Sequence, residues 1–414
     1  MKNYLIVFSI LILALVVRLY NFSDRMTFGS EQARSLYVSA NYISEKPSLL
    51  GQEYFRVNSL GHKLYTSAVF NYSLVPLLLI FDYDPLPISY YFALLNIATG
   101  IIMYFVVKKM FSHRLGLICM TLFLFNSYMI YHSMFIWVLN YLPLIGILSI
   151  YLLWKIKNKK SNLLDLFILG VLSGLGFGLQ YLYVIAILII LYVVFKYSKN
   201  KAKDLLVFIV GGVIGDFTQV VFDLKHNLYH LRTLLQYALD TFNGVSDAGF
   251  TYYHFLHFWP VVILVAGFLL WKVYLKNKFI FYVLFFGYLY LNLSSNLINF
   301  NKPVGMVDGL TNKSIVEASR IISQTDETNF NVVTLYDFDT RGYVLRYYTE
   351  FVYDKKPMGE IDYPSSNIVF ALAKDDYDFE NNNPWELKVV KPYNITNLGE
   401  VGQGFSLFRL ERIL

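Results

Sequence analysis

The sequence predicts a polytopic α-helical membrane protein of about 9–10 spans, closed at its C-terminus by a small α/β domain. Three observations carry this expectation. Apolar runs recur as far as Leu293, each near the roughly 20 residues that a helix needs to cross a hydrocarbon core. Lysines and arginines gather in the short segments between runs, the asymmetry that sets membrane orientation. Acids are placed differently, with 17 of the 29 lying beyond Asn301. Composition agrees: 15% of residues are charged, where a soluble chain carries about 25%, and mean hydropathy is +0.46.

The first run, Tyr4–Tyr20, is followed by no small-residue cleavage site and reads as a retained first helix. An outer loop over residues 21–64 comes next. Later runs are Leu86–Val107, Leu115–Tyr131, Trp137–Trp154, Leu163–Gln180, Leu182–Phe195, Leu205–Phe222, Phe255–Trp271 and Phe279–Leu293. Basic clusters at 108–114, 155–160, 196–203 and 272–278 occupy alternate connections. Placed in the cytoplasm, they give about nine crossings, an inner N-terminus and an outer tail. Tyr65–Phe81 is also apolar, but it is short and interrupted by Asn71 and Pro76. It reads either as re-entrant or as a further span, and the second reading reverses every later loop. The net charge of +6 is accounted for by these loops, so no nucleic-acid partner is expected. Cys119, the single cysteine, excludes an internal disulfide and a cysteine metal site.

Residues 1–300 are thus expected to form the membrane module and residues 301–414 an extracytoplasmic α/β domain. In the tail, Thr311 is placed to cap an amphipathic helix with Ile315, Ala318, Ile321 and Ile322 on one face. Strands are expected at Asn331–Leu335, Asn367–Leu372, Leu387–Val390 and Phe405–Leu410.

Candidate chemistry concentrates in the outer loop. Ser30 reads as a helix cap, with Glu31 in the first turn where the helix dipole favours an anion. Ala33, Leu36, Ala40 and Ile43 form an apolar stripe that would lie on the membrane surface, leaving Glu31 and Arg34 on one face. A carboxylate there suits a general base, and a nearby cation suits a lipid phosphate. An exposed intrahelical ion pair is the plainer alternative. His62, Lys63 and Tyr65 stand where the chain returns to the membrane, and on the residues alone a lysine snorkelling to the interface is the favoured reading of Lys63 over a phosphate ligand. Trp137 and Asn140 fall at an outer helix end, as do Asp223 and His226, so an interfacial anchor and a solvated cap are their ordinary roles. Asp216 is an acid within an apolar run, which marks function by default. Its plainer reading is a bond to a neighbour such as Gln180. No metal-ligand cluster or phosphate loop is visible, and a divalent cation is left open.

Together these landmarks resemble the membrane glycosyltransferases of the C-type fold, above all the family 39 group of protein O-mannosyltransferases and aminoarabinose transferases. The resemblance rests on Arg18-Leu19, on Phe28-Gly29-Ser30-Glu31-Gln32-Ala33-Arg34, and on the stretches 61–65, 137–140, 180–181 and 222–227. It implies that Glu31, standing where the family usually has Asp, activates an acceptor hydroxyl. Lys63 and Arg34 would contact the phosphate of a polyprenyl-linked sugar donor. Membrane lipid is an implied partner, and the acceptor is a lipid, glycan or protein. Where the family often has a histidine, Tyr181 follows Gln180. Two other classes fit the residues: a lipid or solute transporter, favoured by Asp216, and an inactive scaffold.

Overall fold

The computed structural model describes residues 2–198, 200–245, 251–382 and 384–413. Up to Leu293 the chain is an apolar helical bundle, and its helices begin where short polar side chains satisfy their free N–H groups. Asp84 accepts from the Leu86 amide at 2.9 Å ahead of Pro85–Met110. Asn162 and Asp165 exchange reciprocal bonds at the start of Leu163–Leu179, and Asn277 opens Lys278–Leu293.

Among the described residues, Pro85–Met110, Val138–Lys157 and Tyr252–Lys276 are each long and apolar enough to cross a membrane. Shorter apolar helices surround them, including Leu5–Leu19, His113–Leu124, Leu163–Leu179, Tyr181–Tyr197 and Lys278–Leu293. The expected run Leu115–Tyr131 is divided: His113–Leu124 ends, and Asn126 caps a separate turn, Ser127–His132. Leu205–Phe222 is also broken, at Asp216, where Lys201–Gly215 and Phe217–Lys225 meet with an 85° bend. Tyr65–Phe81 is not one helix. It begins as a strand and continues as Val69–Ile80, which at 12 residues rises only about 18 Å.

The tightest packing joins Leu163–Leu179 to Lys201–Gly215. A Cβ at Gly170 would collide with the Phe208 carbonyl oxygen, one at Gly174 with that of Gly212, and one at Gly215 with that of Val171. Only hydrogen at these positions lets the two backbones touch.

Strands β1 (Leu50–Val57) and β2 (Lys63–Ser67) form an antiparallel hairpin turning at Gly61, whose φ of 78° suits glycine. This hairpin replaces the simple return to the membrane expected over residues 61–65. In the tail, Thr311 caps Asn312–Ser323, and Ile315, Ala318 and Ile322 are fully buried. A four-stranded sheet follows, with β3 (Phe330–Thr334), β4 (Ile368–Lys374), β5 (Tyr393–Gly402) and β6 (Phe405–Arg412) in the order β3-β4-β6-β5. Only the β3–β4 pair is parallel. The strand expected at Leu387–Val390 is instead a helical turn, Trp385–Lys388, and the true strand is β5. As an exposed edge strand, β5 is rich in Asn, Gly and Thr and shows no apolar alternation.

Candidate active site

The helix Ser30–Ser44 organises the site. Gly29 is extended, and its amide donates to Gln32 Oε1 at 2.9 Å, so the helix starts one residue earlier than a Ser30 cap implies. Ser30 lies inside the first turn, and its hydroxyl donates to Asp337 Oδ2 at 2.7 Å, tying the helix to the loop after β3. Glu31 remains at the positive end of the helix dipole.

The stripe expected to face lipid faces protein. Ala33, Leu36 and Ala40 are fully buried between Val69–Ile80 and the tail helix Tyr343–Tyr347. Tail aromatics explain the reversal: Tyr343 and Phe351 pack edge-on against Tyr37, while Tyr347 and Tyr348 flank Phe28. The Tyr37 hydroxyl then donates to Glu350 at 2.9 Å.

Glu31 projects into a recess walled by protein on most sides while its side chain stays open to solvent. The indole Nε1–H of Trp137 donates to Glu31 Oε1 at 2.9 Å. Partial removal from water raises the Glu31 pKa, and the Trp137 bond and the nearby Arg34 charge oppose that rise. Tyr54, from β1, lines the same region; burial first, and then the Glu31 charge, push its hydroxyl pKa up.

Trp137 is held by the turn that carries it. Asn140 is buried, and its Nδ2 donates to the carbonyls of His132 and Phe135, both at 2.8 Å, bracing the peptide that aims the indole. Rings of His132 and Tyr253 pack on the indole at 5.0 and 5.2 Å. Asn140 therefore lies behind Trp137 and supports its loop.

Arg34 sits one turn beyond Glu31, with its guanidinium 5.6 Å from the Tyr343 ring centre. Lys63 is on β2, exposed, and paired with Glu53 at 3.1 Å, which raises its pKa. His62 packs against Tyr229 at the hairpin end, with ring centres 5.2 Å apart. The Tyr65 carbonyl accepts from the Tyr181 hydroxyl and lies 3.0 Å from His230 Nε2.

A second polar cluster fills the break at Asp216. Ser67, from β2, donates to Asp216 Oδ1 at 2.6 Å. With its amide nitrogen turned to Asp216, Gln219 donates to Oδ2 at 2.7 Å, and its amide oxygen lies 2.6 Å from the Tyr181 hydroxyl, competing with the Tyr65 carbonyl for that group's single proton. The Asp216 partners are thus Ser67 and Gln219 rather than Gln180, which ends the preceding helix through its own amide. Asp223 accepts from the amides of His230 at 2.7 Å and Leu231 at 3.1 Å, closing the start of Tyr229–Phe242. His226 is exposed and stacks on Phe222. The structure therefore gathers Glu31, Arg34, Trp137 and Tyr54 at one recess. Asp216, Gln219 and Tyr181 form a neighbouring cluster, and Asp223 and His226 stand at a helix junction. Tyr54, Ser67 and His230 were invisible to sequence reasoning, because only the unpredicted hairpin brings them in. Among the described residues, no group of three or more His, Cys, Asp or Glu side chains is arranged to hold a metal ion.

Two solved structures share this architecture across the chain. ArnT from Cupriavidus metallidurans bound to undecaprenyl phosphate superposes with a TM-score of 0.56 at 10% identity, covering 97% of both chains. Its apo state gives 0.55 with the same coverage and identity. The chain has the C-type membrane glycosyltransferase fold. An Archaeoglobus fulgidus oligosaccharyltransferase, in complex with Zn and sulfate, shares the C-type fold with a TM-score of 0.50 at 10% identity, over 88% of this chain and 67% of its own. No family model matches the sequence, and no curated protein matches it. The likeness in fold thus stands at 10% sequence identity.

Proposed function

We propose that the protein is a membrane glycosyltransferase that moves a hexosyl or pentosyl group from a polyprenyl-phosphate carrier to an acceptor at the outer membrane face. The observation that carries this reading is the Glu31 carboxylate, set at a helix N-terminus in a solvent-reached recess and fixed by the Trp137 indole at 2.9 Å. Glu31 takes the proton of an acceptor hydroxyl while that oxygen bonds to the anomeric carbon. The bond from that carbon to the phosphate oxygen breaks, and the polyprenyl phosphate leaves with the electron pair, inverting the centre. Because the leaving group departs as a stable anion, a cation serves it better than an acid does. Arg34, and more remotely Lys63, fill that role. The undecaprenyl phosphate bound to ArnT from Cupriavidus metallidurans supports a lipid-linked donor.

In this reading residues 1–300 bind the carrier and residues 301–414 form an extracytoplasmic domain of a plasma-membrane protein with its N-terminus inside. The clamp of Tyr343–Tyr347 on the Glu31 helix supports a share for the tail in shaping the acceptor side. The test is transfer from labelled polyprenyl-phosphate sugars of the source membrane by purified protein in lipid nanodiscs. Wild-type protein should release polyprenyl phosphate and label an acceptor, and Glu31→Gln should do neither. Vesicle uptake of the label without transfer would replace the transferase by a transporter.

A further inference from the structure

The helix Tyr229–Phe242 has two unlike faces. Its polar side is bolted to the hairpin tip: the Ser59 amide and hydroxyl donate to Asp240 at 2.7 and 2.8 Å, and Gln236 donates to Ser59 at 3.2 Å. His230, Thr233 and Asp240 are buried there. On the other side, Leu228, Leu231, Leu235, Leu239 and Phe242 recur at intervals of three and four and are 43%, 41%, 56%, 55% and 89% exposed. The helix thus buries His230, Thr233 and Asp240 and shows a stripe of leucines and Phe242, the reverse of a helix that turns its apolar stripe inward.

We infer that this face is seated in the lipid leaflet on the hairpin side, with the helix lying along the membrane surface. Three features select lipid over a protein partner. The stripe follows two helices that also show apolar residues outward, Lys201–Gly215 through Leu206, Ile209 and Val213, and Phe217–Lys225 through Phe217 and Leu224. The 85° bend at Asp216 turns the chain out of the line of Lys201–Gly215, and Phe217–Lys225 then leads into the stripe. Lys225 and Arg232 are exposed beside it, where anionic headgroups would meet them. Such a helix sinks about 5–10 Å into the headgroup boundary. Lipid then holds the hairpin through Asp240, and the hairpin carries Tyr54 to the Glu31 recess. The surface-helix role that the sequence offered to Ser30–Ser44 belongs to Tyr229–Phe242.

The test uses the full chain in vesicles of phosphatidylcholine and phosphatidylglycerol. Cys119 is buried, so a nitroxide can be placed selectively on Leu235→Cys, with Ile361→Cys, 79% exposed on the tail, as the aqueous reference. Collision with oxygen, which partitions into lipid, is compared with collision with a water-soluble nickel chelate. The expected result is an oxygen-to-nickel ratio several-fold higher at position 235 than at 361. Equal ratios would put the face in water and overturn the inference. Protection from both reagents would overturn it in favour of a protein surface, such as a second copy.

Discussion

Replacing Glu31 with Gln separates chemistry from architecture. Gln keeps an oxygen acceptor for the Trp137 indole, which donates to Glu31 at 2.9 Å, and it fills nearly the same volume. It cannot accept the acceptor's proton. A positioned general base contributes about 10²–10⁴-fold, so transfer should fall by that factor, or about 3–5 kcal/mol of barrier. Stability should move the other way. Partial removal from water raises the folded-state pKa of Glu31, so its protonation stabilises the fold below the unfolded-state pKa, and that contribution is lost as pH rises through the folded value. At neutral pH the wild-type carboxylate is therefore a liability that Gln removes, and the variant should unfold at an equal or higher temperature. Transfer is read with labelled donor in nanodiscs. Unfolding is read with a thiol-reactive dye, because buried Cys119 becomes accessible only as the bundle opens. Wild-type activity in the variant would remove Glu31 from the reaction. A midpoint several degrees lower would refute the claim that partial removal from water disfavours its charge.

Trp137→Phe keeps the ring packing but deletes the donor, and losing a hydrogen bond to a charged group, worth about 1.5–3 kcal/mol, should cut kcat by roughly 10–150-fold. The rate of transfer should rise with pH as Glu31 ionises, and Trp137→Phe should move that rise to higher pH, since the lost bond was holding the pKa down; a pH–rate profile of both proteins decides it. Arg34→Gln should raise the donor KM well above the effect of Lys63→Ala, because Arg34 is buried one turn from Glu31 whereas Lys63 is exposed to solvent. Gly174→Leu should destabilise by about 1–3 kcal/mol or prevent insertion, since any Cβ there meets the Gly212 carbonyl, and thermal unfolding in detergent measures it.

The bundle was legible because lipid imposes one rule on every run, and Pro85–Met110 and Leu163–Leu179 fall within a few residues of their expected bounds. Glu31 was legible as a first-turn acid because capping is local. What sequence could not show was which neighbour a face meets. The Ala33–Ala40 stripe obeys helical spacing whether it touches lipid or Tyr343, and the deciding residues lie some 300 positions away. The break at Asp216 was hidden by hydropathy, which averages over the very residues that bend. The Glu31–Trp137 bond joins positions 106 apart, and neither sequence context announces the other. The hairpin escaped because β1 carries polar and apolar residues without strict alternation.

The clamp on the Glu31 helix also sets an order of assembly. Ser30 reaches Asp337 across 307 positions, and Tyr37 reaches Glu350 across 313. At about 5–20 residues per second, the ribosome delivers the second partner roughly 15–60 s after the first. For most of that interval the helix bearing Glu31 has its neighbour Val69–Ile80 but lacks the tail that covers the rest of its stripe. A nascent chain is thus inserted before its recess is walled, and a segment made late completes a helix placed early.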